Sequence, residues 1–260
     1  MPLTENTHQK RAPEPAAETM TRVPVDYGWA GRAKSCGKPS PARALLFSNT
    51  GVRKLRLTSS IPRSGRAAKR TLDVGVSLCA LVLLSPFLLM IALLIKVNSR
   101  GPVFFQQKRH GELGRIIHVL KFRSMVVHTE PPGVVTQATH KDDRVTRVGA
   151  LLRRTSLDEL PQLINVLRGE MSLIGPRPHP VELDYHYANL IPHYMERLRV
   201  RPGITGWAQV HGLRGPTEQL QSMVDRVDHD IWYVENWSLT LDFRIAVATV
   251  LYGLTGPNAI

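Results

Sequence analysis

Val74 to Ile95 (VGVSLCALVLLSPFLLMIALLI) runs for 22 residues without a charge, and no other stretch limits the possible folds of this chain so strongly. A helix of that length is long enough to span a bilayer core. Ser85-Pro86 falls at its middle. Proline removes a backbone hydrogen bond and clashes with the preceding turn, so a sharp bend is expected there. The residues leave two paths open. A kinked helix can cross the membrane, because neighbouring groups re-satisfy the freed backbone. Two half-helices can instead dip in and return to the same face. Lys69 and Arg70 on one flank and Lys96 and Arg100 on the other favour the return, since both basic ends then stay cytoplasmic.

The chain carries a formal charge of +13, unevenly spread. Residues 1–70 hold fourteen Lys/Arg against four Asp/Glu, and the remainder is nearly balanced. Residues 1–66 are rich in Pro, Ala, Ser and Gly with no sustained apolar period, which reads as a basic, mostly disordered tail. No apolar core follows the N-terminus, so a cleaved signal peptide is not expected. A basic tail suits an anionic membrane surface; nucleic acid is not expected as a partner. The two cysteines, Cys36 and Cys79, give neither a disulfide framework nor a thiolate metal site, consistent with a reducing compartment. The expected plan is a tail over 1–66, a membrane segment over 67–98 and a folded domain over 99–260.

Within that domain, alternation around Val103-Phe104-Phe105 and Ile116 to Leu120 predicts a hairpin turning through Gly111 and Gly114. Lys121 and Arg123 place two cations at its end, which suits a diphosphate. The polar, Pro/Gly-containing residues 128–143 read as a loop, a plausible flap. In LLRRTSLDELPQLINVLRGEMSLIGPRP (Leu151 to Pro178), Leu157, Leu160, Ile164 and Leu167 fall at helical spacing and are expected to face the core. Asp158, Gln162 and Asn165 fall on another face. Pro161 is tolerated only in a first turn, so the helix is expected to begin near Thr155 to Asp158. Ser156 and Glu159 read as its capping box, and Gly169 as its end. Asp158 and Glu159 then sit at a helix start beside Arg153 and Arg154, where anions and phosphates are favoured. An ionised carboxylate there is a candidate metal ligand or nucleophile toward phosphorus.

Met171 to Gly175 predicts a short strand, after which Pro176-Arg177-Pro178 projects a guanidinium suited to bidentate phosphate contact. Leu183 to Leu198 reads as a helix bearing His186 and His193, whose spacing is not metal-like. Arg201 to Gly206 reads as a tight turn with exposed N–H groups. Glu218 to Glu235 reads as a polar helix holding Asp230 and ending in Trp232, Tyr233 and, just beyond, Trp237. Leu239 to Leu254 reads as an amphipathic helix too short to span, because of Asp242 and Arg244.

Four blocks together resemble the bacterial sugar transferases, the monotopic phosphoglycosyl transferases. They are Gly101 to Met125, Arg153 to Pro178, Arg201 to Gly215 and Asp230 to Ile245, and the likeness covers roughly residues 67–260. It implies an α+β fold: a compact cytosolic catalytic domain of helices and a small hairpin or sheet, anchored by one re-entrant helix bent at Ser85 and Pro86. It also implies residence in the bacterial inner membrane with the catalytic domain facing the cytoplasm. The implied reaction moves a sugar 1-phosphate from a UDP-sugar to undecaprenyl phosphate and releases UMP. It passes through a covalent phosphosugar on Asp158 and begins exopolysaccharide repeat-unit assembly.

By the same resemblance, Asp158, Glu159, Lys121 and Arg153 are catalytic, Glu159 and Asp158 hold Mg²⁺, and Arg123, Arg177, Arg201 and Asp230 bind substrate. Membrane lipid and downstream glycosyltransferases are the further expected partners. The block from Thr136 to Gly149, Arg177 to His179, His211 to Leu220 and the ending Gly256 to Ile260 resemble the members that use glucose. Galactose or an N-acetylated sugar remains the alternative substrate. A membrane-tethered basic binding protein without catalysis is the alternative of another class.

Overall fold

The computed structural model describes residues 59–126, 142–215 and 219–253. It is α+β, with one long helix, two small sheets and a packed set of short helices. Helix α1 (Arg63–Asn98) contains the whole apolar run, and its helical assignment continues through Pro86. Among the described residues it is the one helix long and apolar enough to cross a membrane. Its two ends are tied down. Near the start, Lys69 pairs with Asp242 at 2.6 Å, Arg70 donates to the carbonyls of Val166 and Leu167, and Asp73 accepts from Ser172 Oγ and Leu173 N. Near the finish, Ile91 and Ile95 pack with Phe122 and Leu152. The Arg123 guanidinium there caps the carbonyls of Ser99 and Arg100 at 2.8 and 3.0 Å. Between these ends the apolar side chains face outward, Leu83 at 79% exposure. Each such side chain left in water forfeits on the order of 1 kcal/mol of burial, so lipid is the environment this surface fits.

Strands β1 (Phe104–His110) and β2 (Ile116–Phe122) form the expected antiparallel hairpin, with Phe104 opposite Phe122. Helix α2 (Arg147–Arg154) follows, then a single 3₁₀ turn over Leu157–Glu159, then α3 (Gln162–Arg168), which Gly169 ends in the left-handed conformation. Here three expectations are corrected. The helix starts later than Thr155 to Asp158. Ser156 is itself left-handed (φ 58°) and makes no side-chain cap, so no capping box forms. The face expected to be buried is also reversed. Asp158, Gln162 and Asn165 are buried, whereas Leu157, Leu160, Ile164 and Leu167 are half-buried. Asn165 explains the reversal: its amide accepts from Leu120 N and donates to the His118 carbonyl and Glu170, fastening α3 across β2. A buried amide with its hydrogen bonds made is well tolerated.

Strand β3 (Ser172–Ile174) pairs in parallel with β4 (Gly203–Thr205). The reading of residues 201–206 as a turn with exposed N–H groups is therefore corrected: Gly203 N donates to the Pro176 carbonyl, and the Thr205 carbonyl accepts from Gly175 N. The two backbones come so close that a Cβ on Gly203 would strike Gly175 N, and one on Gly175 the Arg201 carbonyl. Helix α4 (Val181–Leu190) ends before His193, and Tyr194–Arg199 is 3₁₀, so the single helix expected over 183–198 is two segments. His186 and His193 are exposed. Helices α5 (Trp207–Val210), α6 (Leu220–Glu235) and α7 (Leu239–Ala248) complete the fold, the last running into a π turn over Thr249–Gly253. Trp207 stacks on Trp232 at 4.7 Å, and Tyr233 lies in the core beneath β3. The loop over 128–143 falls outside the described residues except for Asp142 and Asp143, as do the ending Gly256 to Ile260 and nearly all of the tail.

Candidate active site

The 3₁₀ turn sets two adjacent carboxylates in unlike surroundings. Both are buried, Asp158 and Glu159 each 7% exposed. Glu159 is saturated with cations: Lys121, from the end of β2, donates to Oε1 at 2.8 Å, and Arg177 grips both oxygens, Nη1 to Oε2 at 3.1 Å. Burial pushes the Glu159 carboxyl up, but Arg177 and then Lys121 outweigh it and hold it well below the usual carboxylate range. Asp158 receives no hydrogen bond among the described residues, and Lys121 Nζ stands 4.0 Å from its Oδ2. Burial raises its pKa, with Lys121 acting against the rise. Burial likewise lowers the Lys121 pKa, opposed by Glu159 and Asp158. One carboxylate is thus neutralised in place and its neighbour left unencumbered.

Arg177 owes its position to a buried network behind it. Arg197, 1% exposed, donates to the Arg177 carbonyl, to Asp230 Oδ2 at 2.7 Å and to His179 Nδ1 at 3.0 Å. Tyr194 hydroxyl donates to Asp184 at 2.7 Å, and His110 pairs with the other oxygen of Asp184 at 2.7 Å. Arg109 donates to the Pro178 carbonyl, and burial followed by Arg177 brings its pKa down to about 10. On the other side Arg214 donates to Ser156 Oγ at 2.6 Å. Counting Arg153 and Arg226, among the described residues seven cations act on four carboxylates (Asp158, Glu159, Asp184 and Asp230). A surplus of positive charge suits an anionic ligand.

The structure thus brings together Asp158, Glu159, Lys121 and Arg177 of the residues singled out from sequence. Arg153, at the end of α2, is half-buried and acts on Asp158 through its field. Asp230 lies in the second rank, engaged by Arg197. Arg123 caps α1 and Arg201 pairs with Glu112 at 3.3 Å, so neither touches the carboxylate pair. Sequence reasoning gave no site role to Arg197, His179, Arg109, Arg214 or Arg226. His179, Arg109 and Arg214 fall inside stretches that carry the family resemblance; Arg197 and Arg226 carry no local pattern.

Next to the pair lies an apolar cavity of about 740 Å³. Leu72 and Val76 of α1, Leu157, Leu160 and Leu163, and Phe243 and Ala246 of α7 form its walls, with Glu159 and Arg214 at its polar side. Of the half-buried residues around α3, Leu157 and Leu160 therefore face this cavity.

Residues 64–256 match the family described as bacterial sugar transferase. The chain is 52% identical over 184 residues to UDP-glucose:undecaprenyl-phosphate glucose-1-phosphate transferase of Xanthomonas campestris pv. campestris, covering 71% of this chain and 38% of that one. It is 47% identical over 215 residues to the protein of the same name from Caulobacter vibrioides, covering 82% and 80%. A third relative, UDP-N-acetylgalactosamine-undecaprenyl-phosphate N-acetylgalactosaminephosphotransferase of Aeromonas hydrophila, is 44% identical over 192 residues, covering 74% and 44%. The chain spans about two fifths of the first and third of these relatives and four fifths of the second. With the family matched from α1 to beyond α7 and a carboxylate pair set among cations, this chain belongs to the bacterial sugar transferase family.

Proposed function

We propose that this chain transfers glucose 1-phosphate from UDP-glucose to undecaprenyl phosphate, releasing UMP, as the first step of exopolysaccharide repeat-unit assembly. The observation that carries the reading is the inequality of the two carboxylates. In the first step an Asp158 oxygen attacks the β-phosphorus of the UDP-sugar. The bond from that phosphorus to the bridging oxygen breaks, and UMP departs with the electron pair. In the second step an oxygen of the acceptor phosphate attacks the same phosphorus and Asp158 is released as carboxylate. A nucleophile must be unencumbered, as Asp158 is. Lys121 and Arg177, locked by Glu159, supply fixed positive charge to the phosphoryl oxygens without having to reorganise.

Asp158 and Glu159 are hard oxygen donors of the kind Mg²⁺ takes, one or two at a time, alongside substrate phosphates. Glu159 Oε1 already accepts from both Lys121 and Arg177, whereas Oε2 accepts once and keeps a further lone pair. Among the described residues no group of three His, Cys, Asp or Glu forms a dedicated cage. The donor set therefore fits an Mg²⁺ that comes with the diphosphate, where it would neutralise phosphate charge.

The acceptor is a long isoprenoid, and the apolar cavity beside Glu159 suits its first units. The outer face of α7 and of the π turn after it (Phe243 and Val247, then Val250 and Leu251) is exposed and apolar, which supports contact with the bilayer surface. The re-entrant path of α1 is favoured because both its ends are held by the same domain while its middle faces out. Lys69 and Ile95 would be about 39 Å apart on a straight helix. The catalytic domain then lies on the cytoplasmic face of the inner membrane. Tags at residue 66 and at the C-terminus are both expected to report cytoplasm. Tags on opposite sides would establish a crossing helix instead. Pro86→Leu, which removes the residue that favours a bend, is expected to shift part of the protein to the crossed form.

The test of the reaction is UMP release by purified protein over a panel of UDP-sugars with undecaprenyl phosphate. UDP-glucose is expected to give the highest kcat/KM, with UDP-galactose at least about tenfold lower, a gap of roughly 1.4 kcal/mol. A preference for an N-acetylated sugar, which the name of the Aeromonas relative makes the second reading, would reassign the sugar and keep the reaction. No UMP from any donor would reject the reaction and favour a binding role.

A further inference from the structure

Among the described residues no carboxylate forms an ion pair with Arg226. Arg226 lies on α6 and is 7% exposed; its Nη2 donates to the Gly215 carbonyl at 2.8 Å, and its Nε is buried without a partner. Asp230, one turn further along α6, is engaged by Arg197, whose guanidinium also holds the Arg177 main chain. The neighbourhood is cationic as well: burial and then Arg177 bring the Arg226 pKa down to about 10. Burial and the charges of Arg197 and Arg226 keep the nearby His179 ring neutral, so it adds no cation and offers Arg226 no counter-charge. A buried unpaired charge costs several kcal/mol. Such a guanidinium, next to an arginine that already serves the site, marks a place for an anion.

We propose that Arg226 is a phosphate-binding residue of this site and contacts a substrate phosphate from the α6 side of Arg177. The proposal rests on the phosphoglycosyl transfer reading. The phosphate is that of the nucleotide donor or that of the lipid acceptor, and the test separates them.

Arg226→Gln in the full chain, purified in detergent, removes the charge. In the ligand-free protein the melting midpoint is expected to stay or rise, because an uncompensated buried charge has been deleted. UDP titrated without acceptor is expected to bind at least about tenfold more weakly than to the unaltered protein, close to 1.4 kcal/mol. That result assigns the contact to the donor. Unchanged UDP binding with a KM for undecaprenyl phosphate raised at least tenfold assigns it to the acceptor. Arg226→Lys, which keeps the charge and loses the fork, is expected to fall between the two proteins and gives the same reading if the glutamine variant does not fold. A lowered midpoint with UDP binding and acceptor KM both unchanged would overturn the proposal and make Arg226 a structural residue. UDP binding is read without turnover, so the result stands whichever way the UMP-release assay falls.

Discussion

Asp158→Asn is expected to lower UMP release by about 10³-fold or more, the scale on which a covalent nucleophile is lost. The substitution keeps the shape and removes the charge. Asp158 accepts no hydrogen bond among the described residues, so little holding energy is lost with it, and the melting midpoint is expected to stay near that of the unaltered protein. A large loss of rate on an intact fold is what separates a reacting group from a structural one. Turnover within tenfold would remove Asp158 from that role. Labelled sugar phosphate retained on the protein before acceptor is added, and absent from the asparagine variant, would establish the covalent step. The pH profile carries the sign. Burial raises the Asp158 pKa, and the attacking species is the carboxylate. Activity is therefore expected to fall as pH drops through a value above that of an ordinary aspartate. Glu159, held well below the usual carboxylate range, stays ionised and adds no second limb there.

Arg197→Met is expected to be the most damaging change to folding. Arg197 is 1% exposed and lies between Asp230 and Asp184, at 2.7 and 3.7 Å. Methionine fills similar volume and leaves Asp230 buried without its cation, a loss of about 3–5 kcal/mol. In a domain of this size that corresponds to a fall of roughly 10 °C in the melting midpoint. The site suffers as well, because the Arg177 carbonyl loses the donor that places it. Asp230→Asn is expected to be milder, and the double variant less harmed than the two single losses added together, since they break one interaction. A midpoint for Arg197→Met equal to that of the unaltered protein would show that the network carries no stability.

The hairpin was readable in the sequence because period-two alternation and two glycines are local signals, and β1 and β2 sit where those signals lie. The start of α3 was misread for a physical reason. A capping box needs Glu159 to turn back on its own helix, but Lys121 and Arg177 offer it two charge-assisted partners, and tertiary ion pairing wins over the local cap. The reversed burial of α3 has the same origin: Asn165 looked like a solvent residue until β2 supplied its partners. Asp158, Glu159 and Lys121 were legible as residues with chemistry. Their inequality was not, since it arises from Arg177, and Arg177 from Arg197, whose position in the chain carries no pattern pointing to either. Asp230 was singled out by resemblance alone, and its partner gives the resemblance a physical content: it acts on the site through a guanidinium.

The close pairing of β3 with β4 bears on how variation in this family should be interpreted. Gly175 and Gly203 meet backbone to backbone, and a side chain on either would enter space already filled by main-chain atoms. In an alignment, positions like these stay invariant for steric reasons and stand beside Asp158 as equals. An alanine scan would score all three as inactive. Selection is nonetheless filtering for different things: at the glycines it removes chains that do not fold, and at Asp158 chains that fold and do not react. Ranking positions by invariance therefore enlarges the apparent catalytic set around the Ile174 to Pro178 turn, and abundance measured together with activity restores its true size.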